Sequence, residues 1–70
     1  PRDLLATPVQ LDGFYSAVEQ ALLALEFLDP KAPRKLMPRV RRLFQRVKME
    51  AVEVNLMRGV FEEIKKKLKN

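Results

Sequence analysis

Seventy residues with 14 Lys or Arg against 9 Asp or Glu give a net charge of +5, and the chain has neither Cys nor His. Such a length supports one small domain with a marginal core. The two missing residue types exclude disulfide staples, the usual zinc ligands and imidazole acid–base chemistry.

Residues 1–7 lack any hydrophobic period and read as a linker remnant, with residues 8–70 forming the domain. The chain opens on Pro1, and no signal-peptide core follows, so a piece of a longer protein is expected. Thr7, Pro8 and Gln10 then mark a helix start: an N-cap, a proline at the first helical position and the far member of a capping box. Leu11, Phe14, Val18, Leu22 and Leu25 follow at helical spacing, flanked by Tyr15 and Ala21, and predict a helix over residues 8–27. Gly13 weakens its start. Asp29-Pro30-Lys31-Ala32-Pro33 is turn chemistry, and Phe27 is expected to fold back onto that loop. A second helix is expected over 34–47, with Leu36, Val40, Leu43, Phe44 and Val47 as its apolar stripe. Pro38 is tolerable there only within a first turn. The third helix, over 50–68, carries Val54, Met57, Phe61, Ile64 and Leu68 on one face, while Val52, Leu56 and Val60 widen the arc. No strand pattern appears, no apolar run is long enough to span a membrane, and the fold class predicted is all-α, a small three-helix bundle.

Charge is segregated along this frame. Residues 1–30 net −4, residues 31–48 net +8 with no acid among them, and residues 49–70 net +1. At ~100° per residue the second helix sorts its cations into two rows. Lys35, Arg39, Arg42 and Arg46 follow i, i+4, i+7, i+11 over about 16 Å of axis, and Arg34, Arg41 and Lys48 follow i, i+7, i+14. A cationic helix of this kind suits a polyanion, and the planar guanidinium suits phosphate. The bland reading is a solvated face, with Arg41 or Arg46 paired to Glu19 or Glu26.

Other polar residues read as structural. Thr7, Tyr15 and Ser16 have no base to activate them, and Glu62–Lys66 and Glu63–Lys67 are ordinary helix-surface pairs. Phe14, Phe44 and Phe61 are core. Asn55, Arg58 and Gly59 interrupt the third helix. Gly59 is expected to admit a neighbouring helix closely, and Arg58 to pair with Glu19 across helices. No catalytic or metal-binding residue is expected.

Phe14-Tyr15, Val18-Glu19-Gln20, Leu22, Phe27-Leu28, Leu36-Met37, Arg41-Arg42-Leu43-Phe44 with Arg46, Glu53-Val54-Asn55-Leu56 and Arg58-Gly59 recur in an order that resembles the C-terminal helical domain of bacterial tRNA (cytidine/uridine-2′-O)-methyltransferases of the TrmJ type. The resemblance covers about residues 10 to 64, and Pro38 departs from it. It implies a cytoplasmic, homodimeric parent whose N-terminal knotted SPOUT domain binds S-adenosylmethionine and methylates a ribose 2′-hydroxyl of tRNA. This fragment would be non-catalytic, without cofactor of its own. It would help hold tRNA through Arg34, Lys35, Arg39, Arg41, Arg42, Arg46 and Lys48. The alternative is a protein–protein or dimerisation module, in which the third helix's wide apolar arc docks on the catalytic domain or a second copy.

Overall fold

The computed structural model describes residues 4–28, 31 and 35–68. Three helices account for most of these residues: α1 (Pro8–Ala24), α2 (Met37–Gln45) and α3 (Ala51–Leu68). The all-α, three-helix expectation is met.

The capping box starts α1. The Gln10 amide N–H donates to Thr7 Oγ1 at 3.2 Å, and the Thr7 N–H donates to Gln10 Oε1 at 2.8 Å. Two otherwise orphaned donors are thereby satisfied. The helix ends at Ala24, three residues before the expected end, because Glu26 adopts a left-handed φ of 60°. The Phe27 N–H then donates to Leu22 O at 3.0 Å and the Glu26 N–H to Leu23 O at 3.0 Å, the paired closure of a Schellman motif. This closure buries Leu28 and leaves Phe27 71% exposed. Phe27 therefore does not fold back as expected; the reversal at Glu26 turns Leu28 inward instead.

Pro38 decides where α2 begins. A proline has no N–H and clashes beyond the first turn, so the helix starts at Met37 rather than 34. The buried stripe is also narrower than expected. Met37 is buried and Val40 and Phe44 pack on the core, whereas Leu43 and Val47, expected inside, are more than half exposed. Glu50 precedes α3, and its N–H donates to Glu53 Oε1 at 2.8 Å. The acid in the first turn and Lys65, Lys66 and Lys67 in the last both complement the helix dipole.

Phe14, fully buried on α1, joins the three helices. Its ring meets Phe44 of α2 edge-on at 5.0 Å and Phe61 of α3 at 6.1 Å. Tyr15, Val18 and Val54 complete the central cluster. Neighbouring positions on α1 and α3 rise together: Phe14 meets Phe61, and further along both helices Ala24 and Leu68 line one hollow. The two long helices therefore run in the same direction, and α2 carries the chain back between them. At the entrance, Leu5 forms a bridge with Glu50. There the Ala6 N–H donates to Met49 O and the Ala51 N–H to Leu4 O, each at 2.9 Å. The described part of the expected linker is thus hydrogen-bonded to the start of α3.

Arg58 does not take Glu19 as its partner. Its Nε donates to Glu62 Oε2 at 3.1 Å, one turn along the same helix. Its guanidinium lies across Gly13, where a Cβ would stand 2.6 Å from one terminal nitrogen. The close approach anticipated at Gly59 is therefore made at Gly13, and nothing lies within 4 Å of a Cβ built on Gly59. With Glu62 drawn toward Arg58, no Glu62–Lys66 or Glu63–Lys67 ion pair forms among the described residues.

Candidate nucleic-acid interface

The basic residues separate into three groups. Arg39, Arg42 and Arg46 form the first. They sit on α2 and at its C-cap, are exposed, and line one shallow hollow together with Leu43. Spacings of three and four residues hold the three guanidinium stems on one side of the helix over about 10 Å of axis. None of the three has an acidic partner within ion-pair distance among the described residues. Leu43 is 59% exposed in their midst, which places the row on the outward side of α2.

Arg41 is differently placed. Its guanidinium carbon lies 4.8 Å from the centre of the Tyr15 ring, and its Nη1 lies 3.9 Å from Asp12 Oδ1. The Tyr15 hydroxyl reaches toward the Arg41 carbonyl oxygen at 3.5 Å, a long contact. Arg41 thus clamps α2 against α1 through a cation–π contact and a weak, solvent-screened ion pair. Tyr15 is 97% buried beneath it, so its ring face is not free to stack on a base.

The third group flanks the helix. Lys35 is exposed but precedes the Leu36 N-cap, so it does not extend the Arg39–Arg42–Arg46 row along the helix axis. Lys48 is exposed beyond the last turn. Arg34 lies outside the described residues. Among the described residues the helix itself carries one row, Arg39, Arg42 and Arg46, because α2 starts after Lys35 and Arg41 lies over Tyr15.

The described residues hold no group of three or more potential metal ligands and no buried polar side chain. The apolar hollow beside Leu25, Val60, Ile64 and Leu68 is aliphatic, with Glu63 and Lys67 at its rim.

Residues 9–70 match the family described as tRNA methyltransferase TrmJ, C-terminal domain. The chain belongs to the TrmJ C-terminal domain family. A similar relative is the tRNA (cytidine/uridine/adenosine-2′-O-)-methyltransferase TrmJ of Pseudomonas aeruginosa (strain UCBPP-PA14), 40% identical over 62 residues, which are 89% of this chain and 24% of that protein. The tRNA (cytidine/uridine-2′-O-)-methyltransferases TrmJ of Klebsiella pneumoniae subsp. pneumoniae and Escherichia coli (strain K12) are 41% and 39% identical over 59 residues, 84% of this chain and 24% of each relative. The chain therefore spans about a quarter of the length of these TrmJ relatives. No solved structure matches it. The family match over residues 9–70 bears out the resemblance read from the sequence.

Proposed function

We propose that this TrmJ C-terminal domain is a non-catalytic module that helps a tRNA 2′-O-methyltransferase hold its tRNA. The observation that carries this reading is the row of Arg39, Arg42 and Arg46, outward-facing and unpaired among the described residues. Guanidinium groups in that state meet phosphates without first giving up an internal partner. Lys35 and Lys48 add charge at either end, and Arg41 contributes mainly by fixing α2. Phosphate contacts raise affinity and orient the substrate, while selection of the nucleoside and methyl transfer fall to the remainder of the parent enzyme. That remainder is expected to be a homodimeric SPOUT domain binding S-adenosylmethionine in the cytoplasm. Among the described residues no helix is long and apolar enough to cross a membrane.

Fluorescence anisotropy of labelled tRNA across a salt series tests the proposal. Neutralising about three phosphates gives a log–log slope on the order of −2 to −3. The double change Arg42→Glu plus Arg46→Glu is expected to abolish binding at physiological salt while leaving the helical circular-dichroism signal intact. Unchanged affinity in the folded double variant, or a flat salt response of the parent chain, overturns the reading.

A further inference from the structure

Arg39, Arg42, Leu43 and Arg46 stand at i, i+3, i+4 and i+7, and the Arg46 backbone, at φ −71° and ψ −16°, still follows the helical path. On an α-helix those four positions are the corners of one surface hole, the diamond that accepts a single knob from a packed partner. No other residue of the described chain lines it. The four side chains surround an open hollow of about 310 Å³, with Leu43 exposed at one corner. A single exposed leucine is ordinary on a protein surface. This one completes a hole whose other three corners are cations.

The chemistry of the corners selects the occupant. Each arginine has an apolar methylene stem and a planar cationic head. Three stems and the Leu43 side chain therefore give the hole an apolar floor, with guanidinium groups around it. A surface that met phosphates alone would gain more from a fourth cation at position 43 than from leucine. The matching ligand is a flat apolar face bordered by negative charge, which describes a nucleobase between its own phosphates. Base faces inside a duplex are covered by stacking, so only an unpaired base offers one, and guanidinium planes are established stacking partners for such bases. A guanidinium lying on a base keeps its in-plane donors for the adjacent phosphates. The hollow is at the small end of ligand sites, which suits one base. Resting on the tRNA-holding reading above, we infer that this hole on α2 seats one unpaired RNA base against Leu43, while Arg39, Arg42 and Arg46 hold the flanking phosphates.

Two RNA hairpins that differ at one position test this. One has a single bulged uridine and the other an abasic residue at the same bulge, so their phosphates are equal in number. Anisotropy titrations of the chain are expected to favour the uridine hairpin at least about fivefold, with equal salt slopes for the two. The ratio of the two affinities cancels the electrostatic contribution. Leu43→Ala and Leu43→Lys are expected to bring that ratio close to one, although the lysine adds a charge, and Leu43→Phe to preserve it. Position 43 is exposed, so melting curves confirm the fold of each variant. A ratio near one in the unaltered chain overturns the inference, and so does an unchanged ratio in folded Leu43→Lys. If both hairpins then still bind with a steep salt dependence that Arg42→Glu plus Arg46→Glu removes, the tRNA-holding reading stands without this one. Failure to bind either hairpin also overturns it, and titration of tRNA itself then decides the wider reading. Tighter binding of polyglutamate than of either hairpin assigns the hole to an acidic protein and overturns it as well.

Discussion

Glu26 closes α1 with a φ of 60°, a conformation that costs a residue bearing a Cβ roughly 1–2 kcal/mol and glycine almost nothing. Glu26 lies outside the helix, so a glycine there incurs no helix-interior penalty. Glu26→Gly is expected to stabilise the domain by about 1 kcal/mol, raising the melting temperature by about 4–8 °C for a chain of this size. The two glycines form a second test. Gly59 is helical, exposed and unobstructed, so Gly59→Ala is expected to gain about 0.5–1 kcal/mol from helix propensity. Gly13→Ala has the same intrinsic gain but displaces the Arg58 guanidinium, which stands 2.6 Å from the new methyl carbon. Its net gain should be smaller, and the difference should vanish in an Arg58→Ala background when a urea-melt double-mutant cycle is measured. At this scale the sequence was only partly legible. Thr7, Pro8 and Gln10 act through contacts within four residues, and their roles followed from spacing. Gly13 and Arg58 meet across two helices, and the Arg58–Glu62 pairing competes with Glu19 on geometry that spacing does not contain.

Among the elements, α2 is the one whose position the cationic row depends on, and nine residues are too few to hold it as an isolated helix. Its docking comes from Met37, Val40 and Phe44 on the inner side and from Arg41 over Tyr15. This division separates two arginines adjacent in sequence. Arg41→Ala is expected to cost about 0.5–1 kcal/mol of stability, the size of a partly exposed cation–π contact, and to reduce tRNA affinity only modestly. Arg42→Ala is expected to leave the melting temperature unchanged and to lower the magnitude of the salt slope by nearly 1. Paired thermal melts and anisotropy titrations distinguish the two, and a reversed pattern would show that the structural roles have been exchanged. Helical periodicity gave the existence and order of the three elements because each long helix buries a continuous stripe. The inner face of α2 was misread because the buried arc is Met37, Val40 and Phe44 at i, i+3 and i+7, which leaves Leu43 at its margin, and because the helix ends at Gln45, before Val47.

The whole molecule is thin, with principal extents of 42 × 26 × 15 Å, so its helices stack no more than about two deep and each retains an exposed face. That shape explains why a short chain presents both a cationic row on α2 and exposed aliphatic side chains on α3. It also makes the ends of the molecule important, because little core lies beneath them. At one end, residues 4–6 hydrogen-bond to 49–51 and secure the turn between α2 and α3 to the start of α1. This pairing carried no periodic signal, since it is made by backbone groups more than forty residues apart in sequence. Removing residues 1–5 deletes the Leu4 carbonyl that accepts from the Ala51 N–H and is expected to cost about 1 kcal/mol, the net worth of a typical backbone hydrogen bond. In hydrogen exchange the Ala51 amide should be protected in the full chain and exchange as a frayed helix end in the truncated one. The arginine row lies on a different element and Phe14 still joins the three helices, so tRNA affinity and its salt slope should be retained. Loss of tRNA binding in the truncated but folded chain would instead assign the N-terminal segment to the RNA interface.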